Sequence, residues 1–200
     1  MTATGAETPM RSDARRTRDR LLDAAAELLE STGRHFTLPD LARRAGVGTA
    51  TAYRHFDDVA DALAAVEVRS IQALTAAIDA IPAASGARRR YDDICALWVG
   101  RSTRESAAAR FLRSPEGVLQ RADRGDPSIT ALVGALSVAV DDLVAAGEAP
   151  AQDTAAAVLI WITLFDERTV IDLARTHGWT THRITDYLGA AVLGALRNQT

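Results

Sequence analysis

Two hundred residues, 48% of them hydrophobic and 24% charged, are enough to bury one or two cores, which excludes a disordered chain. The formal net charge of −3 is uneven: residues 10–56 carry nine arginines against six acids, whereas residues 57–200 carry fourteen against nineteen. A basic front on an acidic body directs an anionic partner to the front, the plain alternative being a solvated arm.

All 23 basic residues are arginine, which GC-rich coding explains as readily as any selection for guanidinium groups. Cys95 stands alone, so no internal disulfide forms, and a reducing cytoplasm is expected. The start is polar and arginine-rich, without the apolar centre of a secretion signal. The most apolar run, Ala155 to Phe165, is about half of the roughly 20 residues a membrane span requires, so no membrane partner is expected. Alanine dominates and no stretch alternates as a half-buried strand would, so the fold class is all-α.

Residues 1–12 read as a disordered basic arm, and residues 13–57 as the first folded domain. From Asp13 the pattern is helical, with Leu21, Leu22, Ala25, Leu28 and Leu29 on one face and a stop at Gly33. Thr37 offers an N-cap, with Asp40 three residues on, for a short helix through Ala45 that Gly46 breaks. A further short helix runs from near Gly48 to about Phe56. Asp57 and Asp58 cap a longer one from about Val59 to Ile81, ended by Pro82, which connects to a second domain, residues 58–200.

In that second domain a helix opens at Gly86 and runs through Trp98 to about Glu105. Short helices are expected at Ser106–Arg113 and after Ser114-Pro115-Glu116, until Gly125-Asp126-Pro127 breaks the chain. Longer helices are expected at 128–146 and 153–177, and Thr180 caps a final one to about Arg197.

Two short helices joined by Ala45-Gly46-Val47 fit a helix-turn-helix, in which the second helix enters the major groove of DNA. Its core-facing positions are Leu38, Leu41, Ala42, Val47, Ala52 and Phe56. That phase turns Thr49, Ala50, Thr51, Tyr53, Arg54 and His55 outward or sideways. Small residues at the start let the helix come close to base edges, where methyls touch thymine and hydroxyls bond bases or phosphates. A surface helix with no partner is the plain alternative; exposed Tyr53 and His55 speak against it.

The stretch FTLPDLARRAGVGTATAYRHFDDVADAL, preceded by RLLDAAAELLESTG, resembles the N-terminal domain of the TetR family of transcriptional regulators over roughly residues 13 to 63. The resemblance implies a homodimer that binds a palindromic double-stranded DNA operator and leaves it when a small-molecule effector enters the C-terminal domain. By position it puts Thr37 on phosphate, and Thr49, Ala50, Thr51, Tyr53 and His55 in the groove. Three positions depart from the family pattern: Gly48 replaces a capping serine, Ala52 a leucine, and Val59 a phosphate-gripping lysine. Arg11, Arg15, Arg16, Arg18 and Arg20 can compensate, by phosphate contacts or by entering a minor groove.

Other chemistry finds little support. Gly46-Val47-Gly48 lacks the preceding strand and third glycine of a dinucleotide site. The histidines form no H-E-x-x-H, and His177 with His182 straddle a helix break, so no metal and no cofactor is expected. No nucleophile elbow is present. An enzyme would need unrecognised chemistry, and a ligand-independent architectural DNA-binding protein would leave the large C-terminal part idle.

The segment 153–177 is apolar nearly all round between Ala155 and Phe165, so it needs cover on two sides. With the final helix it predicts a dimer seam through Leu159, Ile162, Ile184, Tyr187, Leu188, Ala191, Val192 and Ala195, unless these helices only close the subunit core. For an effector pocket the candidates are Cys95, Trp98, Phe111, Trp161 and Phe165, with Arg101, Arg110 and Asp166 as polar groups nearby. That mixture favours an amphipathic or aromatic molecule. For Cys95 the alternative is an inert buried thiol.

Overall fold

The computed structural model describes residues 9–104 and 116–198; the expected helix at Ser106–Arg113, with Arg110 and Phe111, lies outside them. Every regular element among the described residues is helical. The chain divides into two compact units, the first ending at Glu67 and the second beginning at Val68.

The first unit opens with α1, Pro9–Thr32. Among the described residues α1 already covers residues 9–12, ahead of the expected Asp13 and within the segment expected as a disordered arm. Leu21, Leu22, Ala24, Ala25 and Leu29 form its buried stripe. Next comes α2, Leu38–Ala45, opened by a full capping box in which Thr37 accepts from the Asp40 N–H and the Asp40 carboxylate accepts from that of Thr37. Gly46 closes α2 in the left-handed region, at φ 63° and ψ 39°. It is followed by α3, Thr49–His55, which has Gly48 at its N-cap and no side chain capping it. Leu38, Leu41, Ala42, Ala52 and Phe56 are all buried, and Val47 is half-buried. The unit's last core residues, Ala62, Leu63 and Val66, come from α4, Val59–Asp79.

Gly46 has little freedom to change. A Cβ there would strain the left-handed backbone and come 3.0 Å from the Arg20 guanidinium, which bonds to the carbonyls of Ala45 and Gly46. Gly46→Ala is expected to cost about 1–2 kcal/mol, measurable as a lowered midpoint in thermal unfolding.

The second unit contains α5 (Ala87–Arg104), α6 (Val118–Asp123), α7 (Pro127–Ala145), α8 (Thr154–Leu164), α9 (Glu167–Arg175) and α10 (Thr181–Arg197). In its middle is α5, with α7, α9 and α10 packed on it, while α8 packs on α7 and α10. Aromatic and aliphatic side chains from these helices form one core, including Tyr91, Trp98, Leu136, Trp161, Phe165, Ile184 and Val192. Two polar ties cross it. The Tyr91 hydroxyl donates to the Gly189 carbonyl at 2.7 Å, and the buried Arg90 pairs with Asp142 at 2.9 Å. By length and composition α7 could cross a membrane, but Ile129, Leu132, Leu136, Val140 and Leu143 belong to a buried face, which accounts for its apolarity.

The segment expected as one helix at 153–177 is two. The buried Phe165 ends α8, and Asp166 leaves helical geometry at ψ 132° while its carboxylate accepts from the Arg168 N–H at 2.9 Å. Aspartate is among the residues that cap a helix start best, and the restart at Glu167 lets Val170 and Ile171 turn inward.

Candidate nucleic-acid interface

Seven residues is too short for a helix to hold itself together in water, so α3 is held by its surroundings. Ala52 is its buried member, and Phe56 anchors the chain just after it. That anchoring leaves Thr49, Ala50, Tyr53 and Arg54 exposed on one side, with Thr51 and His55 half-buried at its edge. Tyr53 is 54% exposed, a high value for a large apolar ring with no task in the fold. Arg54 folds back along the helix and donates to the Thr51 hydroxyl at 2.9 Å. All six residues expected on this surface are therefore brought together.

The residues expected to contact phosphate are placed less simply. Thr37 directs both its backbone N–H and its hydroxyl, at 2.9 and 2.7 Å, to the Asp40 carboxylate. Those bonds and the neighbouring Arg43 hold the Asp40 carboxyl below its ordinary pKa, so the cap is ionised at neutral pH. Its first duty is to start α2. Arg15 and Arg16 are exposed on α1, Arg16 paired with Asp13. Arg18 is part-buried: its guanidinium donates to the His55 carbonyl at 3.3 Å and lies 4.8 Å from the centre of the Phe56 ring.

Sequence reasoning missed that inward role, although a signal was there. Arg18 precedes Leu21, Leu22 and Ala25 by three, four and seven residues, the spacing of the buried stripe itself. Partial burial, with Arg18 and Arg54 adding to it, pushes the His55 imidazole below its ordinary pKa, so it is neutral at pH 7. Because the folded value lies below the unfolded one, its contribution to stability is full above about pH 6.5 and falls away as the solution is acidified through the folded value.

In the second unit, Cys95, Trp98, Trp161 and Phe165 do converge. The Trp98 and Phe165 rings are 5.7 Å apart, Trp161 and Phe165 6.4 Å, and Tyr91 stacks on Trp161 at 4.7 Å. Burial drives the Cys95 thiol up to about 12. The Ser102 hydroxyl is buried in this unit without a hydrogen-bond partner, and the Trp161 ring N–H has only the weakly accepting Cys95 thiol. Ser102 went unremarked in the sequence because one serine on a helix carries no signal of its own. Asp166 serves as the cap of α9, and Arg101 is half-buried on α5.

The expected dimer seam separates into two sets. Ile184, Leu188 and Val192 lie in the subunit's own core, so their side chains are already committed there. By contrast Leu159 is 39% and Tyr187 57% exposed; Ala191 is exposed, and Ile162 and Ala195 are half-buried.

Residues 21–66 match the family model described as bacterial regulatory proteins, tetR family. Among solved structures, the fatty acid degradation regulator FadR from Bacillus halodurans is similar at 16% identity, covering 98% of this chain and all of that one, with a TM-score of 0.72. A tetR family transcription regulator from Shewanella sp. PV-4 is similar at 19% identity, with coverage of 92% and 99% and a TM-score of 0.71. FadR from Bacillus subtilis, solved in complex with stearoyl-CoA, is similar at 17% identity, with coverage of 90% and 97% and a TM-score of 0.64. At these identities the likeness to each is one of fold. No protein of curated function matches the sequence.

Proposed function

We propose, from a chain whose N-terminal domain is of the tetR family of bacterial regulatory proteins, a cytoplasmic transcriptional repressor that reads a palindromic operator as a homodimer and is released by a small molecule. The observation that carries the DNA-reading part is the outward face of α3: exposed Thr49, Ala50 and Tyr53 on a helix anchored from behind by Ala52 and Phe56. Methyl and hydroxyl groups at its start suit close approach to base edges, and Tyr53 has the reach to stack or bond there. His55, neutral at pH 7, serves as a polar contact and not as a phosphate anchor. Arg15 and Arg16, out on α1, supply charge.

Selection of binding sites from random duplex DNA tests this reading; enrichment of no motif at moderate salt would end it. On the selected operator, Tyr53→Ala is expected to lose roughly 10- to 100-fold in discrimination against scrambled DNA, since a base contact is worth about 1–3 kcal/mol. Arg16→Ala is expected to weaken both duplexes alike and to lower the salt slope by about 0.9. A Tyr53→Ala protein that still prefers its operator as strongly as the wild type would move the reading elsewhere.

The dimer reading is supported by the second face of α8 and α10, where Leu159, Tyr187 and Ala191 are left exposed in the single subunit. The effector reading is supported by the Trp161 ring N–H, which has only the Cys95 thiol to meet amid a cluster of aromatic rings, and by the buried Ser102 hydroxyl, which has no partner. A buried donor without a partner costs about 1–3 kcal/mol, which a ligand acceptor would recover. Those surroundings suit an uncharged or amphipathic aromatic molecule with a hydrogen-bond acceptor. Release of the operator by a panel of such compounds, followed by fluorescence anisotropy, tests it; affinity unmoved by any of them would leave DNA binding without a switch.

A further inference from the structure

A reading helix must be held at a defined angle, and α3 has few means of its own. It is seven residues long, begins at a glycine that caps nothing, and buries Ala52. Its last carbonyls, like those of any helix, have no partner within the helix. Both of its flanks are instead tied to α1. Arg20 bonds to the carbonyls of Ala45 and Gly46, in the turn that leads into α3. Arg18 bonds to the carbonyl of His55, the last helical residue, and lays its guanidinium over the ring of Phe56, the residue after it. The second tie places a positive charge at the negative end of the helix dipole, where a cation is stabilising. It also uses the planarity of the guanidinium, which a lysine ammonium lacks.

We propose that Arg18 is a positioning residue for sequence reading: by gripping the His55 carbonyl and the Phe56 ring it fixes the angle at which α3 meets the groove, and it adds no phosphate contact. This assignment rests on α3 being the element that reads DNA. It differs from the role expected for a basic residue of the N-terminal segment, where an arginine contributes affinity to every sequence equally. A positioning residue contributes to the difference between right and wrong sequences, because a tilted helix still meets the backbone but misplaces its side chains against base edges.

The experiment uses the full-length protein and a duplex obtained by site selection with the wild type, against a scrambled duplex of equal length. Arg18→Gln and Arg18→Lys are each titrated on both duplexes over a range of salt. Expected for both variants is a tenfold or greater fall in the ratio of operator to scrambled affinity, with the salt slope on scrambled DNA unchanged and no rescue by lysine. In the free protein the His55 ring, followed by NMR, is expected to titrate at higher pH in Arg18→Gln than in wild type, because a neighbouring cation has gone. A salt slope lower by about 0.9 on both duplexes, with the ratio unchanged, would make Arg18 a phosphate contact and overturn the proposal. So would an unchanged ratio with an unchanged slope. If Arg18→Gln lost its helical circular dichroism, Arg18→Lys would decide by the same two readings. A wild-type protein that selects no site would sink the DNA-reading proposal itself, whereas a selecting wild type with insensitive variants would sink the role of Arg18 alone.

Discussion

Replacing Leu159 and Tyr187 together by aspartate is expected to give a folded monomer that has lost operator binding by about 10³-fold. Both side chains are substantially exposed in the single subunit, so a carboxylate at either place keeps its hydration and costs the fold little. In the proposed dimer the same positions would meet across an apolar seam, where two added charges per subunit would be desolvated and would face their symmetry mates. Half-sites in successive major grooves lie about 34 Å apart, so in the proposed dimer each reading helix would be tethered to the other's site. Loss of that tether removes an avidity of about 10²–10⁴ without touching any DNA contact. Sedimentation and circular dichroism read the two halves of the result. A double variant that stayed dimeric would place the seam elsewhere.

Val192→Asp, four residues before Leu196 on the same helix, is expected to act on the fold instead and strongly destabilise the second unit. Val192 has no exposed surface in the single subunit and packs in the core with Ile184, Leu188 and Leu196. An unpaired carboxylate there costs about 3–5 kcal/mol or forces the group to take up a proton. A domain's whole stability is about 5–15 kcal/mol, so a fifth or more of it would be lost. The midpoint of denaturant unfolding is the measurement, and a variant melting like the wild type would contradict the burial. On α10, Tyr187 and Val192 differ in which way they face: a charge at the first, with Leu159 of α8, should separate subunits, and one at the second should destabilise them.

That contrast also shows where sequence reading stops. The apolar residues of α10 were legible as one broad stripe, and all eight seam candidates with them. Periodicity says that a face is covered, but not whether the cover comes from the same chain; Val192 and Tyr187 look alike in that respect and differ completely in exposure. Helix ends set by local chemistry were readable. Thr37 with Asp40, Gly46 and Thr180 each act at the place expected. Asp166 was not readable as a break, because it stands inside a run with no glycine or proline and acts only once Phe165 is held in the core. On the candidate interface, the phase of α3 followed from Ala52 and Phe56, so its outward residues could be named. The turn inward of Arg18 was hidden by the charge it shares with Arg15 and Arg16, although its spacing belonged to the stripe.

Cys95 carries a consequence for the kind of signal this protein can receive. Its thiol is buried between α5 and α10, close to Gly189, and holds its proton up to a pH of about 12. At pH 7 the thiol is then protonated, and little of the reactive anion is present. Peroxides and electrophiles attack that anion and need access to it, and here they find neither. A stressed cell that oxidises its exposed thiols would leave this one untouched, so thiol oxidation at Cys95 is a poor input. The effector of the proposed regulator would then act without Cys95, by reversible occupancy, and its signal would fade on dilution.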